Sequence, residues 1–195
     1  MNKSCLIEKV FVGLSFAFVF IACDSEYTPK RKGYNRLDLP NHEYQALADT
    51  LPYYFEYSKH AKLLSDTSYI SNKDWVEIYY PSLLANIHIT YVSLKKTDLK
   101  ELIEDAYFLT SKHQIKASAI NDNILVTPSG KTVSIAELEG DVPSQFQFYT
   151  TDSVKHFFRG ALYFNTKVQN DSLAPAIEYV KLDIMNLINT LEWRE

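Results

Sequence analysis

Residues 74–92 read DWVEIYYPSLLANIHITYV, and the way apolar and polar residues alternate in them decides the fold. Val76, Ile78 and Tyr80 fall on one side of an extended chain, with Trp75, Glu77 and Tyr79 on the other. After Pro81 to Ala85 the alternation resumes, with Ile87, Ile89 and Tyr91 on one side and His88 and Thr90 opposite. Successive side chains of a strand point to opposite faces, so this period of two predicts two strands that each bury one side.

Working outward, Tyr53 to Tyr57 reads as another extended run, Tyr34 to Leu39 as an opening strand, and Asn41 as the cap of a short turn over His42 to Ala48. Thr97 to His113 changes period. Leu99, Leu102, Ile103, Ala106 and Leu109 recur every three or four residues, the stripe of an amphipathic helix, with Asp98 and Glu101 placed to cap its start. A second extended region follows, with strands expected at 115–120, 124–127, 132–138, 144–150 and 160–168 and a turn at Pro128-Ser129-Gly130-Lys131. A last helix begins at the capping residues Asn170-Asp171-Ser172, tolerates Pro175 in its first turn, and buries Leu173, Ile177, Val180, Ile184, Leu187, Ile188 and Leu191. Strands, helix, strands, helix predicts an α+β domain: an antiparallel sheet of roughly six to eight strands with two main helices packed on it, a PsbP-like arrangement being one form.

The first residues belong to a different regime. Lys3 and Lys9 precede an uncharged run, Val10 to Ala22, that is shorter than the roughly 20 apolar residues a spanning helix needs. It ends at Phe20-Ile21-Ala22-Cys23, which resembles a lipobox, with small Ala22 before the cysteine and Phe20 where Leu is usual. Residues 1–22 therefore read as a lipoprotein signal peptide, Cys23 as the lipidation site, 23–33 as a tether and 34–195 as a single globular domain.

Composition limits the function classes. The formal net charge is −4, which disfavours nucleic-acid binding through phosphate neutralisation. The two cysteines are Cys5 and Cys23, so a mature chain would form no internal disulfide. Aromatic residues reach 14%, a share that suits strands and core but would also serve a stacking surface.

No GxSxG, HExxH, CxxC, GxGxxG or phosphate-loop motif occurs. The histidines, at 42, 60, 88, 113 and 156, lack metal-ligand spacing. Asp152, Ser153 and His156 bring an acid, a hydroxyl and an imidazole close in sequence, yet Asp152 and Ser153 read more simply as the start of a helical turn continued by Lys155 to Phe158. Glu101, Glu104 and Asp105 read as a solvated helix face. The expectation is a non-enzyme with no cofactor and no metal.

Several phrases carry a family resemblance. They include Tyr27-Thr28-Pro29-Lys30, Phe55-Glu56-Tyr57, Leu102-Ile103-Glu104-Asp105-Ala106, Phe146-Gln147-Phe148-Tyr149-Thr150-Thr151-Asp152-Ser153, and the run from His156 to Phe164. Asn170-Asp171-Ser172-Leu173-Ala174-Pro175 and Thr190-Leu191-Glu192-Trp193 close the set. Together they resemble the gliding motility-associated lipoprotein GldD family of Bacteroidota. That resemblance implies a lipid-anchored envelope protein, outer-membrane and facing the periplasm, needed for gliding and associated with type IX secretion, whose partners are other gliding and secretion proteins. It supplies no catalytic or ligand residues.

Phe146 to Phe164 is the densest aromatic stretch. Alternation sends Phe146 and Phe148 to the core and Tyr149 to the other side. Phe157 and Phe158 cannot point the same way if extended and lie about 100° apart if helical. Tyr149, one of Phe157 and Phe158, and Arg159 are the candidate border of a protein-binding surface, since aromatic residues and Arg dominate binding hot spots. The simpler reading is that the stretch is the best-packed part of the core, since Phe is so often buried. A glycan binder using exposed Tyr and Trp, and a hydrolase assembled from distant residues, are the competing functions.

Overall fold

In a computed structural model of the chain, residues 37–48, 50–65, 72–94, 98–165 and 170–194 are described. The signal run, Cys23, the tether and the first residues of the expected 34–39 strand lie outside them. Residues 74–92 form the predicted pair, β5 (Val76–Tyr80) and β6 (Ala85–Ser93), antiparallel with Tyr80 opposite Ala85. Val76, Ile78, Tyr80, Ile87, Ile89 and Tyr91 are all buried, as their shared parity requires.

Before this pair come β1 (Tyr44–Ala46), β2 (Tyr53–Tyr54), β3 (Glu56–Ser58) and β4 (Lys62–Ser65). The expected turn at 42–48 is thus a short strand, paired with β3. The single run expected at 53–57 is broken at Phe55, because β2 and β3 pair with different partners. Residues 37–40 form no strand.

Helix α1 (Leu99–Ser111) starts where predicted: Asp98 accepts a hydrogen bond from the Lys100 N–H at 2.9 Å. Its stripe is shallow, with Ala106 alone fully buried and Leu109 exposed. The chain continues through β7 (Ala117–Val126), β8 (Thr132–Gly140), β9 (Ser144–Thr151) and β10 (His156–Phe164). The two short strands expected at 115–127 are one strand, carried across polar Asn121-Asp122-Asn123 by continuous pairing with β8. Helix α2 (Asn170–Thr190) and β11 (Glu192–Trp193) end the fold. Pro175 stands in the second turn of α2 rather than the first, because the helix already begins at Asn170.

The main sheet has seven antiparallel strands in the order β4-β5-β6-β10-β9-β8-β7. Two meanders, β4 to β6 and β7 to β10, are joined where β10 pairs with β6. One face is covered by α2, whose Val180, Ile184, Leu187 and Ile188 are buried against the sheet's inward residues. Burial of such side chains stabilises by about 1.5–3 kcal/mol each, which is why this face is continuous and apolar. The other face is only partly covered, by α1.

Residues 152–158 correct the helical-turn expectation. Residues 152–155 form the tight loop between β9 and β10, and His156, Phe157 and Phe158 already belong to β10 and are extended. Asp152 Oδ1 accepts from the backbone N–H groups of Val154, Lys155 and His156 at 3.0, 2.8 and 2.8 Å. This satisfies the same donors a helix start would leave open, so the sequence signal is shared by both structures. Ser153 and Leu84 adopt positive φ, 64° and 50°. A bulky residue in that region is strained by about 1–2 kcal/mol, and Leu84 is also exposed. Leu84→Gly should therefore raise the urea midpoint, a net gain of up to about 1 kcal/mol after the added unfolded-state entropy of glycine. A lower midpoint would show that Leu84 packs usefully.

Candidate functional site

The site lies on the sheet face away from α2. Strand register builds it as two lateral rows. One runs Thr90, Arg159, Tyr149, Ser134, Ile124, and the next His88, Ala161, Gln147, Ala136, Asp122. All share the parity opposite to the core. Helix α1 crosses this face, and its Thr110 hydroxyl donates to Gln147 Oε1 at 3.2 Å. Tyr107 presents an edge to Tyr149 at 6.3 Å between ring centroids.

Between α1 and the sheet is a crevice of about 300 Å³, counting the part open to solvent. It is lined by Ala106, Tyr107 and Thr110 from the helix and by Asp122, Ser134, Ala136, Gln147, Phe148, Tyr149 and Arg159 from the sheet. Tyr107, Ser134 and Tyr149 also line a wider groove of about 1010 Å³, again counting open space, with Ile124, Lys131, Thr132 and Trp193 along it.

Arg159 projects into this region from β10 and donates to Gln147 Oε1 at 2.7 Å. Among the described residues it has no ion pair with a carboxylate. Burial pulls its guanidinium below the ordinary value, opposed by the neighbouring Tyr163 hydroxyl. Burial, and then the charge of Arg159, also hold the His113 imidazole below its usual value. Gln147 is 3% exposed, and its Nε2 has no acceptor among the described residues.

Of the four candidate surface residues, Tyr149 and Arg159 share this face. Phe157 shares it too but is 4% exposed, stacked on Tyr149 at 5.7 Å. Phe158 is fully buried against Tyr53, Phe55 and Phe148 and borders no surface, because adjacent residues of a strand face opposite sides. Sequence reasoning missed Gln147 and Tyr107. Gln147 was legible by parity, since Gln147, Tyr149 and Arg159 oppose Phe146, Phe148 and Phe158. Tyr107 needed the docking of α1.

The Asp152-Ser153-His156 constellation is not brought together as a site. Asp152 caps the loop: partial burial works against its charge, but the three backbone donors outweigh that and hold its carboxyl below the usual range. His156 is buried, hydrogen-bonded to the Tyr91 hydroxyl at 2.8 Å through Nδ1 and stacked on Trp193 at 4.9 Å. Glu101, Glu104 and Asp105 are exposed on α1. A second polar cluster, not anticipated, sits under α2, where buried Asp183 joins His42 and Tyr80. Its sequence signal is a carboxylate inside the apolar stripe that runs through Val180, Ile184 and Leu187. Among the described residues no group of three His, Cys, Asp or Glu is placed to hold a metal ion.

Fold and site together define an α+β domain with an aromatic and arginine-lined crevice beneath a half-docked helix. The chain belongs to the gliding motility lipoprotein GldD family, whose model matches residues 24–193. No curated protein matches it in sequence. Among solved structures it is similar to cyanobacterial PsbP (CyanoP) from Synechocystis sp. PCC 6803, in solution, at 11% identity and a TM-score of 0.47, covering 82% of this chain and 97% of that one. As a member of a lipoprotein family it is a lipid-anchored envelope protein, and no helix among the described residues is long and apolar enough to cross a membrane.

Proposed function

We propose that this lipoprotein is an accessory protein of the gliding machinery, associated with type IX secretion, that acts by binding other envelope proteins and not by catalysis. It is held through Cys23 in the outer membrane, facing the periplasm. The observation that carries the interaction reading is the exposed apolar rim beside the Arg159 crevice, where Tyr107 of α1 and Ile124 of β7, which line the adjoining groove, are 54 and 76% exposed, and Val126, on the same side of β7 as Ile124, is 64% exposed. Clustered exposed apolar side chains mark interaction sites more often than they mark inert surface. The test is purification of the lipidated protein from its native envelope and identification of what accompanies it. Secretion or gliding proteins are expected, and a preparation without envelope partners overturns the reading.

Anchoring is tested separately. Cys23→Ala should lose lipid labelling entirely and leave the membrane fraction, with the melting temperature of the domain unchanged. Continued labelling would remove Cys23 as the attachment site. A second reading, glycan binding, draws on the wider groove with Tyr107, Tyr149 and Trp193. It is the weaker one, because Tyr149 gives a ring face to Phe157 and Trp193 gives one to His156, which leaves fewer free faces for sugar rings.

A further inference from the structure

We propose that the crevice beneath α1 receives an Asp or Glu side chain of a protein partner, with Arg159 as its receptor and Gln147 as a second donor. The proposal rests on the interaction reading above and names the chemistry of the partner. A guanidinium removed from water is costly unless paired, and here its described partners are neutral, the Gln147 Oε1 amide oxygen at 2.7 Å and the Tyr163 hydroxyl. The Thr110 hydroxyl shares its one proton between that oxygen, at 3.2 Å, and the Ala106 carbonyl, at 3.1 Å, while Gln147 Nε2 keeps an unmatched proton. The crevice therefore holds an excess of donors and of positive charge at its β10 end. A carboxylate supplies what is missing: a planar pair of acceptor oxygens that matches the arginine fork.

Asp122 lines the same crevice but does not fill this role. It stands on β7, three strands from β10, about 14 Å at the usual strand spacing. The source is a protein side chain because the crevice is small and opens onto a wider groove that is apolar and exposed at Tyr107 and Ile124. A buried charged anchor ringed by apolar contacts that exclude water is the arrangement of an interface hot spot.

The test is a titration of the full lipidated chain in detergent, following the side-chain N–H signals of Arg159 and Gln147 by NMR. The probe is N-acetyl-glutamate N-methylamide and its control the glutamine analogue, which has the same shape without the charge. Saturable shifts are expected with the glutamate probe, with binding at least tenfold weaker for the control. Arg159→Met should abolish them while melting at or above wild type, since it removes an unneutralised charge. If Arg159→Met does not fold, Arg159→Lys replaces it, with at least tenfold weaker binding expected from loss of the fork. Absent shifts, or equal binding of both probes, overturn the proposal, and so does inorganic phosphate binding more tightly than the glutamate probe, which would make this a small-anion site. Partner recovery separates the two readings. An unchanged set of envelope proteins with Arg159→Met sinks the carboxylate receptor alone, whereas no partners with wild type sinks the interaction reading itself.

Discussion

Gly160→Ala should destabilise the domain by about 3 kcal/mol, at the upper end of what overpacking a filled core costs. Gly160 lies at the middle of the sheet, opposite Ile89 on β6 and Phe148 on β9. A Cβ there would stand 2.3 Å from Phe148 Cε1, 2.4 Å from Cζ and 3.1 Å from Ile89 Cδ1. The Phe148 ring is the end of a side chain, but it cannot swing away, being 2% exposed and packed against Phe146 and Phe158. In a domain of this size the melting temperature should fall by about 6–12 °C. The cause is specific enough to check by a double-mutant cycle. Phe148→Leu, costly alone, should cost much less in the Gly160→Ala background, because the shorter side chain vacates the space that the alanine methyl needs. Strict additivity of the two would mean that the alanine methyl is accommodated elsewhere.

Asp183→Ala should cost about 2–4 kcal/mol, combining a small cavity with orphaned donors. Asp183 is 2% exposed in the middle of α2. Its Oδ2 accepts from the Tyr80 hydroxyl at 2.9 Å, and its Oδ1 meets His42 Nδ1 at 2.6 Å. Burial, and then the charge of Asp183, push the Tyr80 phenol well above its ordinary value, and the same causes raise Tyr44 to about 12. Both phenols therefore remain protonated donors throughout the physiological range. Without the carboxylate the buried Tyr80 O–H loses its acceptor, whereas His42, with its side chain 30% exposed, can rehydrate. Tyr80→Phe should accordingly be damaging in the wild type and close to neutral in the Asp183→Ala background, read as a coupling in urea midpoints. Equal cost in both backgrounds would show that the Tyr80–Asp183 bond contributes nothing to stability.

Both predictions concern contacts that the chain's order hides. His42 and Asp183 are 141 positions apart, and no periodicity points from one to the other. What was visible was the anomaly, a carboxylate within an apolar stripe. Gly160 was likewise visible as a glycine within a strand pattern, but the ring that needs its empty space belongs to β9, and that pairing is a tertiary fact. The candidate surface was half legible. Parity put Tyr149 and Arg159 together, and the same rule, once the segment is known to be extended, separates Phe157 from Phe158.

The sequence by itself determined the elements with strong periodicity: β5, β6, β8, β9 and both helices, the Asp98 cap, the α+β class and the family. These depend on local geometry, a period of two or of three to four residues, which reads directly along the chain. Tertiary structure alone decided the rest. Whether 152–158 turns as a hairpin or a helix depended on β6 being present to pair with β10, since Asp152 satisfies the same backbone donors either way. That β7 runs unbroken through Asn121-Asp122-Asn123 depended on β8 supplying hydrogen bonds that those polar residues do not predict. The crevice needed four strands and one helix to converge, so that Arg159, Gln147 and Tyr107, unremarkable singly, share a space where charge and donors exceed their partners.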